Sequence, residues 1–397
     1  MPKLLQINVS ANFGSTGKIA ESIGIAAINH GWESYIAFRR NFNPSKSKLI
    51  QVSGKYGKHI HYLGNYFFDK EGLYSCSDTK RLIKRIDKIK PDIVHLHNIH
   101  DHWLNYKILF EYLNNTDIKV VWTFHDCWAF TGHCFHFVTK DCQRWKTGCH
   151  DCPLQHEYPK TLVDRSKKNY ALKKKLFGGC KNLTIVPCSD WMGNFVRDSF
   201  LRDKKIRVIK NGIDLNAFKP SSSSYLARKD TFNVIAVSNV WTKEKGFEDI
   251  FQLREMLSEE YVITIVGLSE EQTKILPKGI TGIQRTKNVQ ELVELYRASD
   301  VLINPTYADT FPTVNLEALA CGIPVITYRT GGSPESVDKK TGLVIKQGDV
   351  KELSSAIMHL KKNPLSSEDC RKRAETFFDK EKCFEEYVRL YEELLEQ

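Results

Sequence analysis

Short, nearly continuous apolar runs recur along the chain, separated by longer stretches with helical character. Leu4-Leu5-Gln6-Ile7-Asn8-Val9, Ile93-Val94-His95-Leu96, Val120-Val121-Trp122-Thr123-Phe124 and Leu183-Thr184-Ile185-Val186-Pro187 read as strands in the first half. Phe232 to Val237, Val262 to Val266, Val301 to Asn304 and Val325 to Tyr328 do so in the second. Ile19 to Ile28, Glu291 to Ala298 and the acidic, apolar stretch Phe384 to Leu395 read as helices. Alternating strand and helix predict parallel sheets with helices on both faces. At 397 residues the chain exceeds one ordinary core, so two domains are expected. The polar run Ser221 to Ser224 suits an exposed connection and puts the boundary near residues 210–230.

Ligands in open α/β sheets bind beyond the carboxyl ends of the strands. After Val301 to Asn304 comes Asp309-Thr310-Phe311-Pro312-Thr313-Val314-Asn315-Leu316-Glu317, followed by Ala318-Leu319-Ala320-Cys321-Gly322-Ile323-Pro324-Val325. Asn315 to Ala320 reads as a helix stopped by Gly322. Asp309 then lies on a strand-to-helix loop and Glu317 in the first turns. The amides of Phe311, Pro312, Thr313 and Val314 fall at the positive end of that helix, which suits a phosphate or a polyhydroxyl ligand. After the first strand, Asn12 to Lys18 carries Gly14 and Gly17, which let backbone approach a ligand. This loop matches neither a P-loop nor the dinucleotide glycine fingerprint. His125-Asp126 stands at the carboxyl end of Val120 to Phe124.

The stretch from Asp309 to Val325 resembles the acidic signature of family-4 retaining glycosyltransferases: Glu, seven residues, Glu, then Ala and a Cys/Ala-Gly-x-Pro-Val tail. Here the first acid is Asp309, one methylene shorter, and the second is Glu317. Lys245-Gly246 matches the family's Lys-Gly pair, while the arginine about five residues upstream is replaced at or near Val240. The resemblance implies the GT-B fold, two Rossmann-like domains with parallel sheets facing across a cleft. It implies an acceptor-side domain over 1–212, a nucleotide-sugar domain over 213–375 and a C-terminal helix over 376–397 that packs back on the first domain. It implies that Glu317 holds the ribose, Asp309 the sugar, and Lys245 with Gly14, Gly17 and the Phe311 to Val314 amides the diphosphate. Thr330 to Glu335 matches a glycine turn lining the donor site, and His125 matches a histidine over the transferred sugar. A retaining, metal-independent hexosyl transfer follows, with no catalytic cofactor.

Charge and cysteine content add two expectations. Residues 1–212 hold 34 Lys+Arg against 18 Asp+Glu, and the remainder 24 against 29, within a formal total of +11. A basic first half suits an anionic partner, and clusters such as Lys173-Lys174-Lys175 could meet anionic lipid. The expected acceptor is a glycan or a polyprenyl-diphosphate-linked glycan of cell-surface polysaccharide assembly, with a UDP- or GDP-sugar as donor and no nucleic-acid partner. The chain enters a strand without a signal-peptide pattern, so the expected place is the cytoplasm, at the inner membrane face for a lipid-linked acceptor. Nine of the 13 histidines fall between His95 and His156. Cys134, Cys142, Cys149 and Cys152 lie in the same region, about 125–155, which is similar to a Cys/His-rich His-Asp-x-Trp-x-Phe-Thr-Gly insert of some family-4 enzymes. The Cys149–Cys152 spacing lets two thiolates grip one tetrahedral ion, with His133, His136 or His150 as substitutes. A structural zinc site and a reduced, packed cysteine cluster both fit. The competing functions are a basic zinc-containing nucleic-acid-binding protein and another GT-B-like sugar-nucleotide enzyme such as an epimerase.

Overall fold

The computed structural model describes residues 1–52, 57–220 and 231–397, so the Ser221 to Ser224 connection lies outside the described residues. The chain divides into two compact units, Met1–Ile209 with Phe384–Gln397, and Lys210–Cys383.

The first unit is built on seven strands: β1 (Lys3–Ile7), β2 (Glu33–Phe38), β3 (Lys48–Gln51), β4 (Ile93–Leu96), β5 (Lys119–Phe124), β6 (Leu183–Pro187) and β7 (Lys205–Ile206). Their order is β3-β2-β1-β4-β5-β6-β7, and every pairing is parallel. Strand alternation sorts the side chains onto two faces. Leu5, Ile7, Val94, Leu96, Val120, Trp122 and Phe124 face one core, with Trp103, Tyr106, Phe110 and Phe177. Leu4, Ile93, Val121 and Val186 face the other, under Ile19 and Ile23 of the helix Gly14–Asn29 and under Phe384, Tyr387, Val388 and Tyr391. The irregular stretch after β5 joins the first core through Trp128, Phe130, Phe137 and Trp145, all buried.

The second unit has six parallel strands: β8 (Phe232–Val237), β9 (Tyr261–Val266), β10 (Ile280–Ile283), β11 (Val301–Asn304), β12 (Val325–Tyr328) and β13 (Gly342–Ile345). Their order is β10-β9-β8-β11-β12-β13. Val234, Ile263, Val301 and Ile326 pack against Ile250 and Leu253 of the helix Phe247–Met256 and against Leu353, Ile357 and Leu360 of Val350–Lys362. Strand order reverses at β1/β4 in one unit and at β8/β11 in the other. These are the switch points at which open parallel sheets take ligands.

Four expectations shift. The first helix starts at Gly14 rather than Ile19, because Asn12 (φ 48°) and Gly14 (φ 66°) turn the chain sharply straight after β1. Gly17 is therefore in the first helical turn, where a Cβ would sit 2.8 Å from Ser10 Oγ. The units part at Ile209/Lys210 instead of 212/213, since Ile209 packs in the first unit's core while the Ile213 N–H bonds the Phe378 carbonyl of the second. The last helix spans Lys380–Leu395 and counts with the first unit from Phe384 onward. The Lys173-Lys174-Lys175 cluster does not form one basic face, because Lys173 is buried.

Candidate functional site

At the carboxyl ends of β8, β11 and β12 three loops converge, and two glycines permit their approach. Gly246 has φ 75°, and a Cβ there would fall 2.2 Å from the Pro305 carbonyl oxygen. Gly331 has φ 55°, and its Cβ would fall 1.6 Å from the Asp309 carbonyl oxygen. Backbone can come this close only where no side chain intervenes. The result holds Lys245 Nζ 2.8 Å from Asp309 Oδ2. The two groups assigned to diphosphate and sugar thus neutralise each other in the ligand-free chain.

The helix Thr313–Ala320 leaves this point. It is fastened by a buried amide chain: Asn304 Nδ2 donates to Asn315 Oδ1 at 2.9 Å, and Asn315 Nδ2 donates to Ser336 Oγ at 2.9 Å. Glu317, one turn in, accepts the Tyr296 hydroxyl on Oε2 at 2.8 Å. Tyr296 is fully buried, and burial together with the Glu317 carboxylate pushes its phenol pKa well up, so it serves as donor only. The Tyr296 hydroxyl therefore fixes the direction of the Glu317 carboxylate.

The expected row of amides is shorter than its sequence suggests. The Phe311 N–H is already taken by Asp309 Oδ1 at 3.2 Å, and Phe311 itself is buried. Pro312 has no N–H at all. Thr313 and Val314 remain, in the first helical turn, where amides lack intrahelical partners. Val240, at the place of the family's arginine, is 66% exposed and supplies no cation. Lys243 is exposed and stands 3.9 Å from Glu248.

In the first unit, Gly14 and Gly17 open the helix beyond β1 and His125 follows β5. Parallel register sets β4 beside β5, and the histidines after them meet: His97 Nδ1 lies 3.2 Å from His125 Nε2, with the rings stacked at 5.5 Å. His97 Nε2 faces Gln6 Oε1 at 3.0 Å, while His95 sits between Thr123 Oγ1 (2.8 Å) and the Tyr391 hydroxyl (2.6 Å). Burial drives His95 and His97 well below the usual imidazole range and brings His125 down to about 4, so all three are neutral at pH 7. Beside them Asp126 accepts the Trp128 N–H at 2.9 Å and pairs with His100 Nε2 at 2.8 Å. The partners Tyr296, Asn304, His97 and His100 were not singled out from sequence as site residues. A polar residue at a strand's carboxyl end was the available signal for Asn304, His97 and His100, and Tyr296 had none.

Cys134, Cys142, Cys149 and Cys152 come together around one small cavity. Among the described residues, the one group of His, Cys, Asp or Glu side chains whose ligand atoms all lie within 4.8 Å of one another is His61, Glu71 and His102, and the four cysteines are not such a group. His61 is already engaged at both ring nitrogens, by Ser75 Oγ (2.9 Å) and by the Gly72 N–H (3.0 Å), and so offers no free lone pair to a metal.

Comparison with known proteins bears on both units. The family model described as "Glycosyl transferases group 1" matches residues 219–377, and "Glycosyltransferase Family 4" matches 26–217. "Putative colanic acid biosynthesis glycosyl transferase WcaC" of Escherichia coli (strain K12) is 25% identical, over 98% of this chain and 100% of that one. Among solved structures, a sucrose-phosphate synthase from Thermosynechococcus elongatus superposes with a TM-score of 0.76 at 17% identity, covering 100% of this chain and 99% of that one. Anabaena Alr3699/HepE, solved with UDP-glucose, gives 0.66 at 13% identity, covering 98% of this chain and 99% of that one. The fold is GT-B, the chain is a glycosyltransferase, and the nucleic-acid-binding and epimerase alternatives have no support.

Proposed function

We propose that this glycosyltransferase is a retaining, metal-independent enzyme. On this reading it moves a hexosyl group from a UDP- or GDP-sugar, bound on the second domain, to a glycan or polyprenyl-diphosphate-linked acceptor of cell-surface polysaccharide. The observation that carries the reading is the cluster at the end of β11: Lys245 on Asp309, the start of the helix Thr313–Ala320, and Glu317 held by Tyr296. An arriving diphosphate competes with Asp309 for Lys245 and meets the Thr313 and Val314 amides. Asp309, freed of its ion pair, turns its oxygens to sugar hydroxyls, and Glu317 accepts the ribose hydroxyls. Lys245 and the helix terminus then stabilise charge as it develops on the leaving diphosphate. That diphosphate takes the acceptor proton, and the acceptor attacks the face the leaving group vacates. Neutral His125 contributes a hydrogen bond rather than a charge beside the transferred sugar.

A UDP-sugar donor is supported by the likeness to HepE, solved with UDP-glucose, and the polysaccharide setting by the likeness to WcaC. A lipid-linked acceptor is supported by the helix Gly57–Phe68, which exposes Ile60, Tyr62, Leu63, Phe67 and Phe68 on the basic first domain. Ile60, Leu63 and Phe67 recur at helical spacing, and such an exposed apolar stripe suits a membrane or a lipid better than water. No helix among the described residues is long and apolar enough to cross a membrane.

Thermal unfolding with UDP-, GDP- and ADP-sugars, on the native chain and on Glu317→Ala, tests the donor. A ligand bound only by the folded chain raises the midpoint. One nucleotide class stabilising the native chain but not the variant is expected. Equal shifts in both would remove Glu317 from the donor site.

A further inference from the structure

The cysteine-lined cavity of the first unit is separate from the donor site and has its own chemistry. Cys134, Cys142, Cys149 and Cys152 border about 10 Å³ of space, room for one atom-sized occupant, roofed by Phe137, Trp145 and Leu154. All four are free thiols. Two neighbours have unmet needs that a packed, neutral thiol cluster leaves unmet.

His133 lines the cavity and is 3% exposed. Its Nδ1 lies 2.7 Å from Asp69 Oδ1, and its Nε2 is buried without a hydrogen-bond partner. A buried nitrogen left this way costs about 1–3 kcal/mol unless something meets it. The carboxylate fixes the orientation of this imidazole in the cavity wall.

Lys173 is the second neighbour, 1% exposed beneath the same segment. Its Nζ donates to the Trp128 carbonyl at 2.7 Å and the Thr131 carbonyl at 3.1 Å, and lies 3.5 Å from the Trp128 ring centroid. Among the described residues no carboxylate pairs with it. A buried ammonium with only carbonyls and a ring for company is expensive. The Gly132 N–H already donates to Cys149 Sγ at 3.2 Å, from a position where a Cβ would strike the Ser166 carbonyl at 2.3 Å.

We propose that Cys134, Cys142, Cys149 and Cys152 hold one structural zinc ion as thiolates, with the buried Lys173 beneath the same segment supplying compensating positive charge. Four thiolates on one Zn²⁺ leave two negative charges, which the Lys173 ammonium and the Gly132 N–H on Cys149 Sγ offset in part. Soft sulfur donors in a closed set select zinc over the harder divalent ions. The sulfurs are not all within 4.8 Å of one another here, so the ion draws the segment together rather than entering a finished cage. Metal binding and the ordering of this segment are therefore one event.

The test uses the native chain purified without a metal-affinity step. Elemental analysis is expected to find one zinc per chain, absent from Cys149→Ser and Cys152→Ser. Alkylation mapped by peptide mass gives a second measurement that needs no variant. Cys142, Cys149 and Cys152 are partly exposed and Cys76 is exposed. With zinc bound, Cys76 reacts and the other three do not until a strong chelator is added. Metal-free protein whose three thiols react alongside Cys76 overturns the proposal, as does a Cys134–Cys152 disulfide. Iron at one per chain overturns the choice of ion.

Discussion

The two units present their polar groups in opposite ways. In the second, the site is a local construction: one strand end, one loop and one helix start deliver Asp309, Thr313, Val314 and Glu317 within nine residues of chain, and a single lysine arrives from the neighbouring loop. Its charges are paired and partly exposed, ready to be exchanged for those of a ligand. In the first, His95, His97 and His125 come from two strands and are wedged against Gln6, Thr123 and Tyr391, buried and neutral. A paired, accessible charge can be traded for another partner, whereas a buried neutral imidazole resists any change of state. On the proposed mechanism, electrostatic work on a departing diphosphate therefore falls to the second unit.

Removing Lys245, the cation of the proposed donor site, is the severest break. Lys245→Ala is expected to lower kcat by about 10²–10³-fold, the scale for losing one charge-stabilising group. Its thermal midpoint should move little, because a partly exposed ion pair contributes only about 1 kcal/mol. Steady-state kinetics beside a melting curve check both halves, and near-normal turnover would refute the role given to Lys245.

Acid should separate the units next. Folded His125 takes a proton only near pH 4, whereas unfolded it does so near 6.5. Between these values the unfolded chain binds more protons, so stability is complete above pH 6.5 and falls as pH drops toward 4. His125 alone accounts for on the order of 3 kcal/mol, and His95 and His97 add in the same direction. The His100–Asp126 pair binds its proton more tightly when folded and offsets part of the loss. The second unit contains one histidine, His359. Hydrogen exchange followed by mass spectrometry from pH 7 to 4 should show the first unit opening earlier, and simultaneous opening would contradict the contrast.

Tyr391→Phe is a smaller probe of the same cluster. It strips the hydroxyl from buried His95 Nδ1 and is expected to cost about 1–3 kcal/mol by chemical denaturation. Donor-induced stabilisation should be unchanged, since the residue lies in the first unit. The gentlest test adds what the donor loop lacks. Val240→Arg places a cation where the chain has an exposed valine. Donor affinity measured by calorimetry should tighten by up to about tenfold, the value of one charge-assisted hydrogen bond, with stability changed by no more than about 0.5 kcal/mol.

The sequence by itself determined the parallel-sheet architecture of both units. Apolar runs such as Val301 to Asn304 and their spacing by helices are local patterns, and parallel strands need both faces covered. It also determined that Asp309 and Glu317 share one strand–loop–helix unit, because their separation is covalent. Tertiary structure alone decided what these groups face. No spacing rule brings Lys245 onto Asp309 or Tyr296 onto Glu317, contacts 64 and 21 residues apart. The availability of amides was decided there too, since only folding shows Asp309 Oδ1 capping the Phe311 N–H. Lys173 makes the same point from the other side. Its lysine neighbours mark it as surface, but packing against Trp128 buries it, because helical phase and not composition selects which side of Ser166–Gly178 meets the core. Local pattern fixes elements and chemistry along the chain, while partners across it depend on register and packing that no short stretch encodes.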